Sequence, residues 1–221
     1  VDAAIGRARL VGASEVIGCG VDSVLRRWNL ASHTEDRLGG CDVTLEVGSS
    51  MALSVDERWL AVPDAQHAPV LYDLVARTHR TLAAHGAAIS EIAIGHGVLG
   101  AVSLDGAVRY SDLATGEMLL EDHHEGAAYK VAIGANGYAA SVGEDGVVRV
   151  MNLDSGVRLA LRGHGAGLWS LVFSPDGAQL VTGDLLGAIR VWQLPAIGVV
   201  GNRAHRAAVQ SLAPHASGDL L

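Results

Sequence analysis

GDLLGAIRVWQL, residues Gly183 to Leu194, has relatives upstream in the same chain. GEDGVVRVMNL spans Gly143 to Leu153, SLDGAVRYSDL spans Ser103 to Leu113, and GVDSVLRRWNL spans Gly20 to Leu30. A shorter copy, VLYDL, spans Val70 to Leu74. The aligned closing positions are Trp28, Tyr72, Ser111, Met151 and Trp192, spaced by 44, 39, 40 and 41 residues. A period of roughly 40 to 45 residues, with four short strands per unit, is the repeat of a propeller blade. Stacked units of this kind bury their faces against their neighbours, and the array moves the functional expectation from chemistry toward binding.

The clearest unit runs from Gly163 to Leu194. Leu168 to Phe173 is a run of β-formers, and Ser174-Pro175-Asp176-Gly177 is a turn in which Pro presets φ and Gly takes positive φ. Gln179 to Gly183 and Ala188 to Gln193 are the next strands, and Ile197 to Val200 is the outer one. Strand and turn alternate as in an antiparallel meander, and apolar runs this short belong to strands buried on both faces. The other units share this grammar. Blade ends are expected near 36, 82, 121, 161 and 201, with a partial sixth blade over 202–221. Five units and part of a sixth read as a segment of a longer propeller, and the chain starts at Val1 rather than Met.

Composition narrows the classes. Of 221 residues, 49% are hydrophobic but only 4% aromatic, so the core is built from Val, Leu, Ile and Ala. The 28 glycines suit a chain that turns every few residues. A net charge of −8 argues against a general nucleic-acid or anionic-membrane surface. No apolar run is long enough to span a bilayer. Cys19 and Cys41 are the only cysteines and fall at non-equivalent repeat positions, so no structural disulfide is expected. The expected location is cytoplasmic.

Gly163-His164, Ser174-Pro175-Asp176-Gly177 and Ile189-Arg190-Val191-Trp192 together resemble the WD40 repeat family. The resemblance recurs along the whole chain in weaker forms. It implies an all-β, WD40-type β-propeller of antiparallel four-stranded blades. It further implies that each blade is held by a buried chain of His, Ser or Thr, Asp and Trp, each bond worth about 1 kcal/mol net. Carried over by position, no unit is complete. The last full unit has His164, Thr182 and Trp192, but Leu186 at the Asp position. The one before has His124, Ser141 and Asp145, but Met151 at the Trp position. The third has His85 and Asp105, with Ala101 and Ser111. The first has Asp22 and Trp28, with Gly18; the second has Thr44, Val62, Gln66 and Tyr72. The blades are therefore expected to rest on apolar packing and strand pairing more than on polar networks.

The same spacing weighs against catalysis. His85, His124, His164 and His205 recur at intervals of 39, 40 and 41, which places them at one position in successive blades rather than around one ion. Asp22, Asp105 and Asp145 recur before Ser or Gly in a tight turn and are read as turn residues and His partners. No phosphate loop, G-x-S-x-G elbow, Cys–His dyad or HExxH occurs. No catalytic, cofactor or metal residue is assigned. The residues five past each repeat His are Ser90, Tyr129, Trp169 and Gln210, expected near the start of the innermost strands at the channel rim. In the family that rim is a common docking surface, and Trp and Tyr are enriched at binding hot spots. The opposing reading is packing between blades. The expectation is a non-catalytic scaffold that binds protein or peptide partners on the rim, without nucleic acid, membrane or small-molecule substrate. The rival is a propeller enzyme of the lactonase or quinoprotein kind, which needs ligands converging in the central channel.

Overall fold

The computed structural model describes residues 5–41, 50–194 and 198–204. These residues form five four-stranded antiparallel sheets, each built from four strands consecutive in sequence. The first holds β1 (Ile5–Val11), β2 (Glu15–Gly20), β3 (Val24–Asn29) and β4 (Thr34–Gly40). The second holds β5 (Ala52–Leu53), β6 (Trp59–Pro63), β7 (Pro69–Asp73) and β8 (Thr78–Thr81). The third holds β9 (Ile89–Gly95), β10 (Val98–Ser103), β11 (Ala107–Asp112) and β12 (Met118–His123). The fourth holds β13 (Ala128–Ile133), β14 (Tyr138–Gly143), β15 (Val148–Asn152) and β16 (Arg158–Leu161). The fifth holds β17 (Leu168–Phe173), β18 (Gln179–Asp184), β19 (Ala188–Gln193) and β20 (Gly198–Ala204). No helix occurs among the described residues, and the expected partial sixth blade lies almost wholly outside them. The architecture is that of WD40-type propeller blades.

The core lies between the sheets, and alternation along the strands puts it there. Successive side chains of a strand point to opposite faces. In β6, Val62 packs into a cluster shared with the first sheet (Ile17, Leu25), while Ala61 packs into one shared with the third (Ile92, Leu99). In β10, Ala101 faces back into that cluster and Val102 faces forward, to Val131 and Met151 of the fourth sheet. In β14, Ala140 and Val142 turn to Leu180 and Trp192 of the fifth. Both faces are apolar, which is why β10 reads VLGAVS and is buried at every position. The outer strands β4, β8 and β12 are mostly exposed and correspondingly polar.

Turn chemistry agrees with the sequence. Ser174 accepts from the Gly177 backbone N–H through its carbonyl at 2.8 Å, and Gly177 takes φ +71°. The turn between β10 and β11 needs Gly106 at φ +90°, where a Cβ would lie 2.5 Å from the His124 carbonyl.

The cysteines depart from expectation. Cys19 and Cys41 form a disulfide, with Cα atoms 6.2 Å apart. Non-equivalence in the repeat did not keep them apart, because the chain leaving β4 returns over the end of β3 beside β2. The Cys41 N–H donates to the Ser23 carbonyl at 3.0 Å, which fixes that return.

Candidate functional site

The repeat histidines occupy the crossovers between blades. His124 N–H donates to the Gly106 carbonyl and His85 N–H to the His67 carbonyl, each at 2.9 Å, pinning each crossover to the turn of the preceding blade. The rings then reach into the blade that follows. In the fifth blade, His164 Nδ1 lies 2.8 Å from Asp184 and Nε2 lies 2.8 Å from the Thr182 hydroxyl. The Trp192 indole N–H donates to the same hydroxyl oxygen at 2.9 Å. Asp184 also accepts the backbone N–H groups of Leu186 and Ala188. The network is thus complete, which corrects the expectation that no unit is. Ser141 to Gly146 and Thr182 to Gly187 are equal in length, so Leu186 holds the register place of Asp145, and the carboxylate comes instead from Asp184, two residues earlier at the strand end. A Gly-Asp at the strand end was the available signal.

In the fourth blade, His124 contacts Asp145 at 2.9 Å and Ser141 at 2.8 Å, and Met151 fills the Trp place as a buried apolar residue. Burial lowers the pKa of both His124 and His164, against the opposing pull of their aspartates. Burial resists ionisation of Asp145 and Asp184, but the His bonds and backbone N–H donors outweigh it and lower their pKa values. The neutral rings therefore donate to carboxylate through Nδ1 and accept the hydroxyl proton at Nε2. Ser141, His124 and Asp145 have the residue types of an acyl-transfer triad. Ser141 and His124 are fully buried, so no substrate carbonyl reaches the hydroxyl, and the arrangement holds the blade.

The remaining units differ from the resemblance. Both ring nitrogens of His85 lack a hydrogen-bond partner among the described residues, since Ala101 supplies no hydroxyl. Asp105, expected as its partner, instead accepts the N–H groups of Gly86 and Ala107. Burial and the nearby Arg109 push the His85 pKa down to about 4. Asp22 likewise serves no histidine: it pairs with Arg26, whose guanidinium holds its pKa at about 2. Trp28 donates its indole N–H to Glu35 at 3.1 Å, on strand β4 of its own sheet. Thr44, His205 and Gln210 lie outside the described residues.

The expected rim residues share one backbone device. In β17, Leu168 pairs with Asp184 and Ser170 with Gly183, leaving Trp169 as the extra residue of a bulge. In β13, Ala128 pairs with Gly143 and Lys130 with Val142, leaving Tyr129. In β9, Ile89 pairs with Ser103 and Glu91 with Val102, leaving Ser90. A bulge re-aims one side chain out of the pleat. Trp169 is accordingly 39% exposed between two buried neighbours, Leu168 and Ser170. It stacks on Tyr129 of the adjacent blade, with ring centroids 4.5 Å apart and planes 26° apart. Leu185, whose N–H donates to the Gly167 carbonyl, and Leu186 are exposed in the neighbouring turn. In the sequence this leucine pair stands between Asp184 and Gly187 and carries no repeat signal of its own.

Ser90 must be withdrawn as a docking contact. It is buried, and its hydroxyl lies 3.1 Å from the Val102 carbonyl and 2.5 Å from the Ala128 carbonyl. A residue small enough to turn inward at the bulge ties the third blade to the fourth. At the same position Trp169 and Tyr129 instead stack on one another.

Comparisons with known proteins agree with this geometry. Residues 156–193 match the family model "WD domain, G-beta repeat", a span that holds the one complete His–Thr–Asp–Trp network among the described residues. A chain from the solved "Crystal Structure of Mitotic Checkpoint Complex" superposes with a TM-score of 0.74 at 23% identity. The match covers 90% of this chain and 65% of that one, so this chain spans less than two thirds of its neighbour's length. No curated protein matches.

Proposed function

We propose that this chain is a non-catalytic interaction module that docks a protein or peptide partner on the face carrying Trp169 and Tyr129. The observation that carries this reading is the stacked aromatic pair, held at the surface by two successive bulges. Leu185 and Leu186, exposed in the turn after β18, add apolar surface on the fifth blade, where the Leu185 N–H bonds to Gly167 just before β17. Exposed large apolar side chains gathered at one place mark interaction sites more often than chance exposure does. A scaffold held beneath the patch by the His124 and His164 networks means little conformational entropy is lost on docking. The fold and the solved neighbour, itself part of a protein complex, support a partner of the same general class.

The test is comparative interaction proteomics. Wild-type chain and a Trp169→Ala/Tyr129→Ala double variant would be expressed at equal levels in native cells and crosslinked. A defined set of partners present with the wild type and lost with the folded double variant is expected. An unchanged partner set would remove the aromatic pair as the docking site. Turnover of a lactone or another small molecule by purified chain would favour the enzymatic alternative.

A further inference from the structure

Cys41 stands where the later crossovers carry histidine. Its N–H donates to the Ser23 carbonyl as His85 donates to His67 and His124 to Gly106. The interval from Cys41 to His85 is 44 residues, the same as that from Trp28 to Tyr72. The slot is therefore conserved in geometry within this chain, while its chemistry changes from imidazole to sulfur.

The blades on either side of this slot lack the polar lock. Gly18 and Val62 stand at the places where Thr182 and Ser141 offer hydroxyls. Asp22 and Trp28 are engaged with Arg26 and Glu35 at their own blade. In place of a network, the disulfide ties the crossover back to β2 of the preceding blade, whereas the histidine rings reach into the blade that follows. Both cysteines are nearly inaccessible, at 3% and 2% exposure. They sit in the apolar cluster that joins Ile17 and Leu25 of the first blade to Met51, Leu60 and Tyr72 of the second.

We propose that the Cys19–Cys41 bond is a covalent latch that replaces the histidine network for the first two blades, and that the chain matures where disulfides form and persist. The two thiols lose two protons and two electrons as the S–S bond forms. A small-molecule or protein disulfide accepts them, and its own S–S bond breaks to give two thiols. Burial decides the order of events: an exchanging thiolate reaches these sulfurs only before the cluster closes, so the latch forms during folding and is then protected. This proposed setting differs from the cytoplasmic expectation. The inference is independent of the docking face.

The full chain would be refolded once with a glutathione disulfide couple and once with excess dithiol reductant. Alkylation followed by mass measurement counts free thiols, and hydrogen exchange reports local order. After oxidative refolding no thiol should react. In the reduced chain, amides of β2–β4 and β6–β7 should exchange tenfold or more faster, with β14–β19 unchanged. Cys41→Ser should reproduce the reduced pattern; if that variant does not fold, the comparison of the two wild-type preparations stands alone. Two reactive thiols after oxidative refolding, equal exchange in β2–β4, or loss of protection throughout the chain would each overturn the latch. Chain recovered from native cells under acid quench should carry blocked cysteines, and free thiols there would overturn the proposed setting.

Discussion

Trp192 and Trp169 show how one residue type takes opposite tasks within one blade. Trp192 is buried to 3% and spends its N–H on Thr182, whereas Trp169 stands at the surface. Trp192→Ala should cost roughly 3–5 kcal/mol in denaturant melts, through the cavity and the unpaired hydroxyl network. Trp169→Ala should cost about 1 kcal/mol, the loss of one aromatic stack and partial burial. Equal losses would place Trp169 in the interblade core and remove it from the docking face. His85 offers the reverse experiment. Ala101 occupies the register place of Ser141, opposite Arg109 as Ser141 is opposite Arg149. Ala101→Ser should present a hydroxyl to the unpaired His85 ring and raise stability by about 1 kcal/mol. A loss of stability would mean that the packed neighbours leave the hydroxyl no room.

The blade turns set what each element tolerates. Gly106 has φ +90°, and a Cβ there would meet two backbone carbonyls, those of His124 and Gly126, within 2.6 Å. Gly97 has φ +72° but nothing within 4 Å. Gly106→Ala should therefore lose clearly more than Gly97→Ala, roughly 2–3 kcal/mol against about 1, because only the first adds a backbone clash to the positive-φ strain. Urea melts of both variants compare them directly, and similar midpoints would show that the crossover at His124 can shift. At this scale the sequence was most legible. The expected strands Ala188 to Gln193 and Tyr138 to Gly143 are the observed β19 and β14, because Gly-bearing turns and apolar runs are local signals. Bulges were not legible, since a bulge depends on which residue of the neighbouring strand is opposite.

Across the whole molecule, three buried histidines share one electrostatic direction. Burial lowers the pKa of His85 to about 4 from 6.5, and it lowers those of His124 and His164 as well. The unfolded chain therefore binds more protons than the folded one between these values. Stability is fully present above the unfolded value of 6.5 and falls as the pH drops toward 4. Asp145 and Asp184, lowered from 3.8, add a further loss only below about that pH. Thermal melts should show the midpoint falling from pH 7 to pH 4.5, with a fall at least as large in Ala101→Ser, whose His85 ring gains a partner that suits its neutral form and so resists protonation further. A flat profile over that range would mean the rings titrate as in the unfolded chain.

What the sequence alone determined is the array: a period near 40 residues, alternating apolar strands and glycine turns are properties of neighbouring residues, so they are written along the chain. Tertiary structure alone decided the rest. Asp184 entered the network because its carboxylate, at the strand end two residues before the Asp145 place, still reaches the His164 ring. Ser90 left the rim because its hydroxyl finds two carbonyls, one on another blade. Cys19 met Cys41 because a crossover folds back over a strand end. Each of these depends on distances between residues far apart in the chain, which only the packing of one blade on the next sets.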